Sequence, residues 1–212
     1  MNGADNSKIN LLAGDLVILH KPSGVITTLL GSCVAIILHV PNKVTMACHA
    51  LLPESKKGKH SCGECCPKPC KDLKSTLSEF RFVTCSLKRM IEELNRLHIH
   101  PSQVYTSLVG GANVLETRNE ESIGVQNVRM AKEILSYNGF TIKREHTGGL
   151  NGCNIEFYPI TNQLFVRVHG GGLPFELGDN FQPFANRIEE DDPKPFEKLQ
   201  EEIKKMQKHF NK

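Results

Sequence analysis

The stretch GSCVAIILHVPNKVTMACHALLP, residues 31–53, holds two apolar runs separated by Pro41, Asn42 and Lys43. Turn-forming residues between two such runs read as a β-hairpin with a three-residue loop. Residue 40 then faces 44, residue 35 faces 49, and residue 33 faces 51. Strand alternation puts Val34, Ile36, Leu38, Val40, Val44, Met46, Cys48, Ala50 and Leu52 on one face, which carries no strongly polar side chain and is expected to be core. The opposite face carries Cys33, Ala35, Ile37, His39, Thr45, Ala47, His49 and Leu51. On it Cys33 and His49 are diagonal neighbours, roughly 7–8 Å apart at the backbone. A two-residue loop would shift the register by one and turn His49 away from Cys33.

Parity therefore sorts the four reactive-looking residues. Cys48 follows the core pattern, as a small buried thiol does. His39 lies at the turn end and reads as a surface or turn histidine. Cys33 follows Gly31 and Ser32, a turn-forming pair that can present backbone N–H groups beside the sulfur, as an oxyanion hole requires. A Cys–His pair on one face suits a thiol hydrolase, yet such a pair also arises by chance in paired strands, and spacing alone leaves both open.

Working outward, 212 residues with 39% hydrophobic content support one substantial core with an appendage. The 26 basic and 23 acidic residues are well mixed, so the net charge of +3 does not argue for nucleic acid. The first residues lack the apolar run of a signal peptide, and no segment approaches the roughly 20 apolar residues of a membrane span. A cytoplasmic location is the expectation. Eight cysteines in a reducing compartment are expected to be buried, catalytic or metal-binding.

Upstream, residues 15–20 and 24–30 read as strands, and the hairpin follows directly. Downstream, Val83, Leu87, Met90, Ile91, Leu94 and Leu97 recur at helical spacing, with Glu92 four residues before Arg96 on the polar face. Residues 103–109 read as a strand ending at Gly110 and Gly111, and a second helix runs from about Val125 to Tyr137. Residues 140–146, 154–160 and 164–169 read as a strand meander. From Gly170 onward the composition shifts, predicting a flexible joint and one amphipathic helix through Phe196, Leu199, Ile203, Met206 and Phe210. That helix either docks on its own domain or recruits a partner. The domain reading is therefore 1–169, then a linker and C-terminal helix over 170–212.

The segment TTLLGSCVAIILHVPNKVTMACHALLP resembles the signature of the CheD family of chemoreceptor glutamine deamidases, and GGANV, IGVQNVRMAKEIL and TGG follow in that family's order. The likeness covers about residues 12–169. It implies a layered α/β (α+β) sandwich of mixed β-sheets packed with helices. It also implies a cysteine hydrolase that converts glutamine side chains on the cytoplasmic helices of chemoreceptors to glutamate, with ammonia released and no cofactor needed for catalysis. Cys33 matches the nucleophile, His49 the general base, and Thr27 the third catalytic position, with Gly31 and Ser32 as the oxyanion turn. A thiolate on Cys33 is then expected, with rapid alkylation near neutral pH. A CheC-type phosphatase is an implied partner, and the membrane is met only through the receptor.

The chain departs from the family at Leu30, where a glycine is usual, and at Cys153, where an arginine is frequent. A larger departure is KKGKHSCGECCPKPCK, residues 56–71, an apparent insertion. Cys62, Cys65, Cys66 and Cys70 could supply four thiolates to a structural zinc ion, with His60 as a further ligand. The same cluster also fits a basic loop with free or redox-active thiols, or a disulfide pair, and metal content per purified chain separates these readings. Two rival functions stand beside the deamidase: a chemotaxis adaptor with a vestigial Cys–His pair, and a cysteine peptidase.

Overall fold

The computed structural model describes residues 7–54, 79–114 and 121–179. Five strands precede the first helix: β1 (Lys8–Asn10), β2 (Leu16–Leu19), β3 (Val25–Leu30), β4 (Val34–Val40) and β5 (Val44–Ala50). Then come α1 (Val83–Arg96), β6 (Tyr105–Gly110), α2 (Ile123–Tyr137), β7 (Ile142–Thr147), β8 (Cys153–Tyr158), β9 (Gln163–Val168) and β10 (Phe175–Glu176). The cysteine-rich segment 56–71 and the C-terminal helix read over residues 196–210 lie outside the described residues.

The hairpin forms in the register that parity gives. Val40 pairs with Val44, Ala35 with His49 and Val34 with Ala50, around a loop in which Asn42 takes the left-handed conformation (φ 59°). All fourteen residues of β4 and β5 are buried, on both faces. The apolar face packs under the helices, against Val83, Leu87, Met90 and Leu94 of α1 and Ala131 and Leu135 of α2. Helix spacing sets this contact, because those positions form one stripe on each helix. The second face is covered as well, by another sheet.

The two sheets are mixed: β2-β5-β4-β6-β7 lies in the middle, and β1-β3-β8-β9-β10 stacks on its far side. The order of layers is helices, middle sheet, outer sheet. The middle sheet is buried from both sides, so β4 and β5 read as continuous apolar runs interrupted only by the hydrogen-bonded His39, Thr45 and His49.

Several expectations are corrected. Residues 140–169 do not form a meander: β7 pairs parallel with β6 through the α2 crossover, and only β8 and β9 are antiparallel neighbours. The glycine-containing turn between β7 and β8 carries the chain from one sheet to the other. Helix α2 begins two residues earlier than read, because the Ser122 hydroxyl accepts the Val125 N–H at 3.3 Å and caps it. Arg96 pairs with Glu93 rather than Glu92, since the Glu93 carboxylate is buried and needs the charge, which Arg89 also supplies. Beyond Gly170 the chain is not free at once: Phe175 and Glu176 pair with β9, and Leu177 is buried.

Candidate active site

Cys33 sits just ahead of β4 and joins the cluster between the two sheets, with Leu30, Ala35, Ala47, Leu51, Val109 and Cys153. His49 on β5 points the same way. Its Nδ1 lies 2.8 Å from the Thr28 hydroxyl on β3, a strand of the outer sheet. The two side chains that parity places together thus enter one inter-sheet space.

The backbone around them is held tightly. The Gly111 N–H donates to the Cys33 carbonyl at 2.7 Å and the Ala112 N–H to the Gly31 carbonyl at 2.9 Å. Gly110 makes this approach feasible: it has φ +108°, and a Cβ there would stand 2.3 Å from the Cys33 carbonyl oxygen. The His49 N–H donates to the Asp15 carbonyl at 2.9 Å, and the His49 carbonyl accepts from the Gly14 N–H at 2.8 Å. The segment leading into β2 therefore clamps the histidine from the N-terminal side.

The hydroxyl that meets His49 is that of Thr28, not Thr27. Consecutive strand residues point to opposite faces, so only one of the pair can reach the inter-sheet space. Thr27 donates to the Asn10 side chain at 3.3 Å and lines an open groove on the outer face, beside Glu156 and Arg167. Thr28 also donates to the Leu11 carbonyl at 2.7 Å. A hydroxyl has one hydrogen, so with that hydrogen on Leu11 its lone pair accepts from His49 Nδ1–H. The Leu11 carbonyl, 3.5 Å from Nδ1, favours the same tautomer. Nε2 is then the unprotonated nitrogen, and it is buried with no hydrogen-bond partner among the described residues.

Electrostatics give a neutral resting pair rather than the expected thiolate. Burial pushes the Cys33 thiol up to about 12, against a downward pull from its own backbone N–H. Burial likewise pushes His49 down to about 4, opposed by the Leu11 carbonyl and Asp15. Cys33 is 1% exposed, so rapid alkylation is not expected. On native protein near neutral pH, iodoacetamide should label Cys85 before Cys33, Cys48 or Cys153, because only Cys85 among the described cysteines is partly exposed. Mass-mapped labelling of Cys33 at a free thiol's rate would contradict the closed, neutral pair.

His39 is not at the surface. It is 1% exposed, its Nδ1 lies 2.8 Å from the Thr45 hydroxyl, and its ring meets Phe157 edge-on at 5.4 Å. The outer sheet covers it, which the hairpin alone could not show. Cys48 is fully buried beneath the helices, as expected. Ser32 is 5% exposed, and its hydroxyl is buried without a partner among the described residues. Among those residues no group of three or more His, Cys, Asp or Glu side chains is placed to hold a metal, and no helix is long and apolar enough to cross a membrane.

The family model for CheD, described as chemotactic sensory transduction, matches residues 67–168. A protein from Caldanaerobacter subterraneus named probable chemoreceptor glutamine deamidase CheD is 32% identical over 160 residues, covering 73% of this chain and 90% of that protein. A Desulforamulus reducens protein of the same name is 32% identical over 172 residues, 79% of this chain and 95% of its own length. The Thermotoga maritima chemoreceptor glutamine deamidase CheD is 29% identical over 165 residues, 77% and 94% respectively. Identity above 30% across nine-tenths of a relative, with a matching family model, places this chain in the CheD family.

Proposed function

We propose that this protein deamidates glutamine side chains on the cytoplasmic part of chemoreceptors, using Cys33 as nucleophile and His49 as general base. The observation that carries the reading is the Thr28–His49 hydrogen bond, which leaves Nε2 free in the inter-sheet space that Cys33 also enters. Membership of a family whose relatives bear that activity in their names supplies the substrate class.

The chemistry begins from neutral groups. As the glutamine carboxamide enters, the Cys33 thiol passes its proton to His49 Nε2 and the sulfur attacks the carboxamide carbon. The carbonyl oxygen becomes an oxyanion held by N–H groups of the Gly31-Ser32-Cys33 turn. His49 returns the proton to the nitrogen, ammonia departs, and a thioester to Cys33 remains. Water, deprotonated by His49, attacks the thioester; collapse releases glutamate and the proton goes back to the thiol. Every step uses protein groups and water. Thr28 keeps the imidazole in the tautomer this sequence needs, the third position of a triad.

A CheC-type phosphatase belongs to the same proposal as a partner. The test is ammonia release from receptor cytoplasmic fragments by the intact chain and by Cys33→Ala; equal release would end the proposal. Thr28 and Thr27 give a finer test. Thr28→Val removes one neutral hydrogen bond of roughly 1.4 kcal/mol, which predicts about a tenfold lower kcat. Thr27→Val should leave kcat within about twofold, its hydroxyl being on the other face. The opposite ranking of the two variants would return the third position to Thr27.

A further inference from the structure

We propose that Asn127 is the positioning residue of this site: its carboxamide holds the Ser32–Cys33 peptide so that the Cys33 N–H faces the reacting centre, and ties that turn to the end of the His49 strand. Asn127 lies on the buried stripe of α2, in line with Ala131 and Leu135, and is fully buried. Its Nδ2 donates to the Ser32 carbonyl at 2.9 Å and to the Leu51 carbonyl at 2.9 Å. Both amide hydrogens are thereby used.

The two acceptors are the informative part. The β4–β5 ladder stops at Val34 and Ala50, so Ser32 and Leu51 lie just beyond it. Asn127 spans the two chains where strand pairing no longer does, one residue before Cys33 and two after His49. The Ser32 carbonyl and the Cys33 N–H belong to one peptide group, which is planar and trans, so they point in opposite directions. A donor on the α2 side that fixes the carbonyl therefore fixes the N–H on the thiol side. Accepting a hydrogen bond at the carbonyl also polarises the peptide and makes its N–H a stronger donor. That N–H already acts on the Cys33 sulfur at rest, and in the reaction it is placed to receive the oxyanion.

Helix α2 is seated for this purpose by a close contact. A Cβ on Gly124 would stand 2.4 Å from the Gly111 carbonyl oxygen, so only glycine lets the helix approach the loop that holds Cys33. Asn127 Oδ1, by contrast, is buried without a partner among the described residues. An orphan acceptor costs stability, and an apolar side chain of equal size would avoid it, so packing alone does not explain the amide.

The kinetic arm of the test rests on the deamidase reading; the spectroscopic arm does not. In Asn127→Leu, kcat for ammonia release should fall about 100-fold, the effect of losing one oxyanion donor, with KM within about twofold. Arg144→Ala is the stability control. Arg144 joins β7 to the Asn162 carbonyl and Asp179, away from the site, so its loss should lower Tm while kcat holds. In protein carrying 15N at its eight cysteines, the Cys33 amide should shift more than any other in Asn127→Leu. A kcat within about threefold of the intact chain, or a larger shift at another cysteine amide, overturns the inference. If Asn127→Leu does not fold, Asn127→Ala replaces it: it removes both donors, and a kcat within about threefold of the intact chain, or a larger shift at another cysteine amide, would equally overturn the inference. If the intact chain releases no ammonia, the deamidase reading falls, and the Cys33 shift alone decides the role of Asn127.

Discussion

Ammonia release from receptor cytoplasmic fragments is expected to fall about 10⁴-fold or more in Cys33→Ala, and no further in Cys33→Ala combined with His49→Ala. The reason is that the two residues act as a unit. His49 Nε2 has nothing to deprotonate without the thiol. The Cys33 thiol, pushed up to about 12 by burial, is inert without a base beside it. His49→Ala alone should therefore cost nearly as much as Cys33→Ala. An additive double variant would show that the two side chains work independently and would break the proposed pair. The adaptor reading predicts something different: receptor binding intact in all three variants and no ammonia from any, including the parent chain. Folding is not the confounding factor for Cys33→Ala, which deletes one sulfur from a packed cluster.

Acid should destabilise the protein well above the range where carboxylates titrate. Burial holds His39 and His49 each at about 4, against an ordinary value of 6.5. Between those values the unfolded chain binds protons that the folded chain refuses, so stability rises with pH across the window. It is complete above 6.5 and is lost as pH falls towards 4. At 1.4 kcal/mol per pH unit for each group, the two histidines together account for about 4 kcal/mol between pH 7.5 and pH 5. Glu93, held below its ordinary value first by the Arg96 hydrogen bond, contributes with the same sign only below about 4.5. Urea midpoints at pH 7.5 and 5 measure the effect, and His39→Gln should remove about half of it. An unchanged midpoint between the two pH values would mean that these histidines are not buried neutral.

Much of the site is written in the hairpin. Alternation alone separates Cys48 from Cys33 and places His49 beside Cys33, because strand periodicity is local and the loop length fixes the register. The same local logic finds both helices, since their apolar stripes follow from spacing. Asn127 had a signal of its own, a polar amide on an apolar helical stripe, but nothing nearby in sequence names its partners, which lie just before β4 and just after β5.

The amino-acid sequence by itself determined both helices, most of the strands, the hairpin register and the strand face that Cys33 and His49 share. Only the tertiary structure decided which threonine meets the histidine, that His39 is buried, and that the thiol rests protonated. Each of those depends on the outer sheet stacking on β4 and β5: it presents Thr28 and hides Thr27, sets Phe157 against His39, and removes the water that would otherwise stabilise a thiolate. Which sheet covers which face is a long-range contact, and no window of sequence contains both partners.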